Sequence, residues 1–273
     1  MASYLLDSAR SKLARAETNL EAIYLSVQGF LDDNPYTFSR DYTPNGRQYT
    51  VFAHARAQPP VAISLLIGEF AHNLRSALDH ALYELALFRL GDRKINAKIR
   101  GYLRRSQMPI LSDDRDWKES SPVLGLLQPE DRAIIKSEQP FSGLGLNDPL
   151  WHLSAINNQD KHRAIHLVGG QVSNVTFGFR RHAPQKYRGL KIDLFTLGRG
   201  PIEPIEEKTP LYAVIFNRPI PDDPSMDVDF IPSIQIFFSK DSDAVADQPI
   251  GAILTAIPGR VRSVVEKIQA QFP

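Results

Sequence analysis

Two histidines, an asparagine, an arginine and an aspartate crowd one stretch of nine residues, His72–Asn73–Leu74–Arg75–Ser76–Ala77–Leu78–Asp79–His80. Histidine exchanges protons near neutrality, and guanidinium matches the oxygens of a phosphate or carboxylate two at a time. Wound at about 100° per residue, Pro60 to Leu90 divides into two sides. Ile63, Leu66, Ile67, Phe70, Leu74, Ala77, Leu78, Ala81, Leu85 and Phe88 fill one side. His72, Asn73, Arg75, Ser76, Asp79, His80 and Tyr83 fill the other. A solvated face is usually rich in Lys and Glu. This one has no lysine, so it is expected to meet a polar surface: a ligand, another element or a partner subunit. One reading of the spacing is structural: Arg75 and Asp79, at i and i+4, pair with each other, and His80 is a buried hydrogen-bonding residue.

A second polar motif, Asp160–Lys161–His162–Arg163, ends a helix ahead of a strand. Cations suit the negative end of a helix dipole, which accounts for three of these residues but not for Asp160. The two motifs are therefore expected to meet. Asp79 or Asp160 would then orient a histidine, and Arg163 would bind an anion. Between them, Gln139–Pro140–Phe141 closes a short helix.

In that order the three motifs resemble those of a widespread family of uncharacterised bacterial proteins, over most of the chain. More loosely, Arg75–Ser76–Ala77–Leu78–Asp79–His80 resembles the Arg-x4–6-His motif of HEPN domains. These are helical bundles that often act as metal-independent ribonucleases and as dimers. The resemblance implies Arg75 and His80 as the catalytic pair. His80 would serve as general acid or base on a ribose hydroxyl or the leaving oxygen, and Arg75 would stabilise charge on the phosphate. His72, Asn73, Asp79, Asp160, His162 and Arg163 would support them. HEPN motifs commonly place Asn or Asp directly after the arginine; here Ser76 stands there, with Asn73 earlier.

Other chemistries fit less well. The chain has no cysteine, which removes disulfides, iron–sulfur clusters, thiolate zinc sites and cysteine nucleophiles. His72, Asp79, His80, Asp160 and His162 are metal-ligand types, but His72 and Asp79 stand about 10 Å apart along a helix axis. No metal or other cofactor is expected, and a His/Asp metal-dependent hydrolase stands as the third reading. No G-x-S-x-G elbow is present, and Gly143–Leu144–Gly145 lacks the rest of a phosphate loop. Nucleic-acid binding without catalysis is the main alternative, with the polar motifs as a structural network. Arg89 to Arg105 carries seven cations against Asp92 alone. Arg100, Arg104 and Arg105 are the candidates for phosphate contact. Arg180, Arg181, Lys186, Tyr187, Arg188 and Lys191 form a second basic cluster. The net charge of only +1 leaves such patches local.

These residues need a scaffold. At 273 residues, 42% hydrophobic and 23% charged, the chain can bury a sizeable core. Ala9, Ala16, Ile23, Phe30 and Leu6, Leu13, Leu20, Val27 repeat every seven residues, the seam of a long first helix. The seam packs inside the chain or forms a homodimer. Asp32–Asp33–Asn34–Pro35 stops that helix. Tyr36 to Tyr42 and Arg47 to Ala53 flank Pro44–Asn45–Gly46 as a hairpin. Pro59 and Pro60 open the second long helix. Arg89 to Arg105 reads as a short helix, another spans Pro129 to Glu138, and Asp148–Pro149 starts one running to about Arg163. Ser112 to Ser121 is a polar loop. Alternation at Val175, Phe177 and Phe179, at Ile192 and Leu194, and at Ile234, Ile236 and Phe238 predicts strands, as does the run from Leu211 to Phe216. Asp222 to Asp229 and Asp241 to Asp247 are acidic loops. A last helix follows Pro249, which Pro258–Gly259 should kink or restart.

The expected fold is α+β and one domain. Residues 1–163 and 249–273 form a helical bundle of long N-terminal, central and C-terminal helices. An antiparallel sheet, 164–248, is inserted before the last helix. Charges among the first apolar residues break any signal sequence, and no window reaches the roughly 18 apolar residues of a membrane span. The cytoplasm is the expected location, and RNA the expected partner.

Overall fold

The computed structural model describes residues 6–92, 94–119, 121–179, 189–197, 205, 207–219 and 228–273. The chain is α+β, with helices α1 (Asp7–Asp32), α2 (Val61–Leu90), α3 (Ala97–Arg104), α4 (Pro129–Ser137), α5 (Pro149–His162) and α6 (Ile250–Gln269). Its strands are β1 (Tyr36–Tyr42), β2 (Gln48–Ala55), β3 (Leu167–Phe179), β4 (Ile192–Thr196), β5 (Thr209–Phe216) and β6 (Val228–Phe238). Among the described residues no helix is long and apolar enough to cross a membrane.

The chain gathers into two compact units. One holds 1–26, 61–166 and 238–273; the other holds 27–60 and 167–237. The difference from the expected boundaries lies in the early hairpin. β1 and β2 pair with late strands, giving a four-stranded antiparallel order β1-β2-β5-β4, while β3 and β6 pair separately. β2 buries Tyr49, Val51 and Ala53 on one side and needs a second apolar strand. In the β2–β5 register Tyr49 lies opposite Val214 and Val51 opposite Tyr212, and Tyr49, Val51, Val214 and Phe216 form one core cluster. The hairpin turn places Gly46 at φ 64°, where a side chain would be strained.

In the helical unit, α2 is central and packs against α5 and α6. Its buried set is wider than one stripe: Asn73, Leu82 and Ala86 join most of the predicted apolar residues, while Leu66 and Phe88 are only half-buried. The helix ends at Gly91, whose φ of 53° suits a C-terminal cap. On α1, the seam residues Leu6, Ala9, Leu13, Ala16 and Ile23 are buried within the chain's own fold. The Asp148 side chain accepts from the Leu150 backbone N–H at 2.8 Å, which starts α5 where predicted. The predicted polar loop Ser112–Ser121 contains a 3-10 turn, Asp114–Glu119. α6 runs through Pro258 without restarting. Residues Ile253, Leu254, Ile257, Val261, Val264 and Val265 around that proline are all buried, and their packing offsets the one hydrogen bond it removes.

Arg260 and Lys267 of α6 both reach Glu138, each at 2.5 Å, and Arg260 also lies 3.5 Å from Asp148. This network ties the last helix to the ends of α4 and α5. A second one joins Arg89 to the fully buried Asp131 through two 2.8 Å hydrogen bonds. Arg89 is thereby committed to a buried carboxylate, unlike the basic surface that follows it.

Candidate functional site

The polar face of α2 is not a single face. Its residues split into two flanks, each committed to a different neighbour. On the flank toward α1, Asn73 donates to Asn19 at 3.3 Å and accepts from the Lys12 ammonium at 3.1 Å. His80 Nδ1 lies 2.6 Å from the Ser8 hydroxyl. Glu69, on the same side, accepts from Asn19 at 3.0 Å.

The other flank holds Arg75 and Asp79. They form an ion pair of 3.2 Å, with only 14% and 22% of their side chains exposed. Both also grip the residue Met108. Asp79 Oδ1 accepts the Met108 backbone N–H at 2.7 Å, and Arg75 Nη2 donates to its carbonyl at 2.5 Å. Met108, Pro109 and Ile110 are buried in a segment with no regular structure, so their backbone groups need side-chain partners. Burial pushes the Asp79 carboxyl above its ordinary value, against the opposing pull of Arg75, the Met108 N–H and the nearby charge of Lys161.

The same segment is held at its far end by the Gln139–Pro140–Phe141 motif. Gln139 Oε1 accepts the Leu111 N–H at 3.1 Å, and the Phe141 N–H donates to the Leu111 carbonyl at 3.3 Å. Gln139 is 1% exposed and its amide also donates to the Ile135 carbonyl at 3.0 Å. Two of the three sequence motifs thus fix one irregular strand of chain, residues 107–111.

That strand walls a polar cleft of about 220 Å³, whose other wall is α5. Gln107, Met108 and Arg75 line one side; Ser154, Asn157, Asn158 and Lys161 line the other. The third motif enters here, through Lys161. Asp160 lies elsewhere, against α2: a Cβ added to Gly68 would fall 2.2 Å from its Oδ1, so only glycine permits this approach. His162 and Arg163 are exposed at the end of α5, and His72 is exposed on α2, 3.5 Å from the half-buried Ser76.

Arg75 and His80 are therefore not brought together within the chain. Five residues apart on a helix, they project about 140° from each other. Their partners belong to different elements, Met108 for one and α1 for the other. Among the described residues no three His, Asp or Glu side chains converge in a group that could hold a metal ion.

Arg100, Arg104 and Arg105 lie on or beside α3, which leads directly into the clamped strand. The Asn96 side chain caps that helix by accepting from the Ile99 N–H at 2.9 Å. All three arginines are exposed, as are Lys94 and Lys98, and none of the five is in an ion pair among the described residues. Lys98 lies 5.8 Å over the Tyr102 ring. Of the second basic cluster, Arg180 to Arg188 fall outside the described residues, as do the acidic positions 222–227.

The residues that motif reading missed are Gln107, Ser154, Asn157 and Asn158. A signal was present: Ser154, Asn157 and Lys161 stand at i, i+3 and i+7, one polar stripe that continues the row begun by Leu150. No protein-family model, curated protein or solved structure matches this chain.

Proposed function

We propose that this protein binds single-stranded RNA without cutting it, through the cations of α3 and the cleft that follows. The observation carrying this reading is the run of exposed cations Lys94, Lys98, Arg100, Arg104 and Arg105. Among the described residues none has an acidic partner, and α3, with Lys98, Arg100 and Arg104 on it and Arg105 at its C-cap, feeds straight into the clamped strand. Unpaired cations in a row suit a phosphate backbone, and binding them releases counterions. A polar cleft at the end of such a row suits an unstacked nucleotide better than the shape of a duplex.

Arg75 and His80 then serve the fold. Arg75 shapes the cleft wall by holding Met108, and His80 helps seat α1. RNA in the cytoplasm is the partner this reading implies, and it needs no second copy of the chain. A second reading, metal-independent cleavage in the manner of HEPN domains, draws on the half-exposed His80, whose Nε2 makes no hydrogen bond among the described residues.

One experiment separates them. Fluorescently labelled single-stranded RNA is titrated with the full chain over a range of salt, and the same samples are resolved on a denaturing gel. The proposal expects salt-dependent binding with intact RNA. Cleavage that is resistant to chelators and absent in His80→Ala would support the second reading instead. Lack of any binding at low salt would reject both.

A further inference from the structure

Asn157 is 4% exposed and lines the polar cleft; its side-chain amide makes no hydrogen bond among the described residues and is not sealed from solvent, so the cleft is where its polar edge is open. An amide with no partner in the fold, reaching solvent only through a cleft wall, is available to a ligand in that cleft. Asn19, Asn73 and Gln139, the other buried amides discussed above, are all bonded within the fold. Asn157 stands apart from them.

What the amide offers is a planar edge with a donor and an acceptor side by side. One turn further along α5, Lys161 supplies an exposed ammonium in no ion pair among the described residues. Across the cleft stands Arg75, with only one of its nitrogens occupied by Met108 and Asp79. No carboxylate is among the lining residues. The site therefore suits a ligand with an anionic group at one end and a donor–acceptor edge at the other. A volume of about 220 Å³ falls below the roughly 300–1,000 Å³ of drug-sized pockets, which limits the occupant to one small unit.

A nucleoside monophosphate has this chemistry. Asparagine pairs with two positions on an adenine edge at once, the N6 amino group and N7, and lysine takes the phosphate. We propose that the cleft between α5 and the clamped strand 107–111 is a binding site for a single nucleotide, with Asn157 on the base edge and Lys161 on the phosphate. The unit can come from an RNA strand or from a free mononucleotide. Only the first source rests on the RNA-binding reading above. The clamp at Met108 and Leu111 holds the wall in place before the ligand arrives, which lowers the ordering cost of binding.

The test is calorimetric titration of the full chain with adenosine 5′-monophosphate and with adenosine, beside anisotropy with oligoadenylate. The mononucleotide should bind, and Lys161→Gln should weaken it about tenfold or more while affecting adenosine little. Asn157→Leu, close in volume, should weaken all three ligands by about tenfold or more. Should Asn157→Leu fail to fold, the surface variant Lys161→Gln still reads the phosphate contact by comparing the mononucleotide with adenosine. No mononucleotide binding, or binding indifferent to both substitutions, would overturn the site. If RNA then still binds through α3, the RNA-binding reading stands without it. If the mononucleotide binds as expected while no oligonucleotide does, the site stands and the RNA reading falls.

Discussion

Asp79 Oδ1 lies 2.7 Å from the backbone nitrogen of Met108 and 3.2 Å from the guanidinium of Arg75, which itself donates to the Met108 carbonyl. One ion pair on a helix thus supplies both the acceptor and the donor that a single buried backbone residue requires. Removing the carboxylate strands the Met108 N–H, and Asp79→Ala should destabilise the chain by about 1–3 kcal/mol. Burial raises the Asp79 carboxyl above 3.8, so its ionised form is a cost to the fold at neutral pH. That cost is relieved as pH falls through the raised folded value toward 3.8. Asp79→Asn keeps an acceptor and drops the charge, so it should cost distinctly less than alanine. Denaturant titrations of both variants at neutral pH check the ranking; equal losses would mean that the charge, and not the acceptor, secures Met108.

His80→Ala should lower stability by about 0.5–1.5 kcal/mol, the usual net value of one hydrogen bond, here that to Ser8. Its RNA affinity should be unchanged, because His80 faces α1 and not the cleft. Ser8→Ala should give a similar loss, and the double variant should lose little more than either alone. A double-mutant cycle by thermal unfolding measures this. Full additivity would show that the two side chains do not depend on each other.

Much of the scaffold was legible in the sequence because its signals are local. Proline at helix starts, Asn and Gly after helix ends, and alternation in the strands all act within a few residues. The strand partners were not legible: nothing near Tyr49 announces Val214, since pairing is decided by which apolar strands remain unpaired in three dimensions. The helix does not restart at Pro258 for a related reason, because the local penalty is outweighed by packing of the α6 side chains around it against α2 and α5, elements distant in sequence. At the site, the motif His72–His80 showed which side chains were unusual but not which way each one turned. A helical wheel already separates Arg75 from His80. What it lacked was Met108, the distant backbone that gives Arg75 and Asp79 their role.

Glu138 should govern part of the acid sensitivity. Burial raises its carboxyl, but Lys267 and Arg260 outweigh that effect, and the net shift is downward from 4.5. A depressed folded value means that the stabilisation is present above the unfolded value and is lost as pH falls through the folded one. Stability of the native chain should therefore decline below about pH 4.5 more steeply than that of Glu138→Gln, which has no charge to lose. Parallel unfolding curves between pH 3 and 6, roughly spanning carboxylate titration, decide the matter. Identical pH slopes would place the acid sensitivity elsewhere.

Gly169 should tolerate no side chain. A Cβ there would fall 1.8 Å from the Tyr36 hydroxyl oxygen and 2.3 Å from the ring carbon that bears it, and Tyr36 is itself buried. The ring cannot swing into solvent, so Gly169→Ala forces strand β3 or the tyrosine to move, at a cost of about 1–3 kcal/mol. The double change Gly169→Ala with Tyr36→Phe removes the hydroxyl and should recover part of the loss. Thermal melting of the single and double variants tests this, and an unaltered midpoint for Gly169→Ala would contradict the packing described.

The basic surface makes the last prediction. For single-stranded nucleic acid, log affinity falls with log salt at a slope of about −0.7 per phosphate neutralised. If Arg100, Arg104 and Arg105 each meet a phosphate, replacing all three with alanine should reduce the magnitude of that slope by about 2 and weaken binding at low salt by several orders of magnitude. All three are exposed, so the fold should survive. Arg89→Ala is the contrast. It carries the same charge in the same basic run, but it is bonded to the fully buried Asp131. Its loss should destabilise the chain strongly, by leaving a buried carboxylate unpaired, and should leave the salt slope of the remaining folded protein intact. Anisotropy titrations from low to moderate salt supply both slopes. A triple variant with the native slope would assign the phosphate contacts to other residues, and with them the RNA-binding surface.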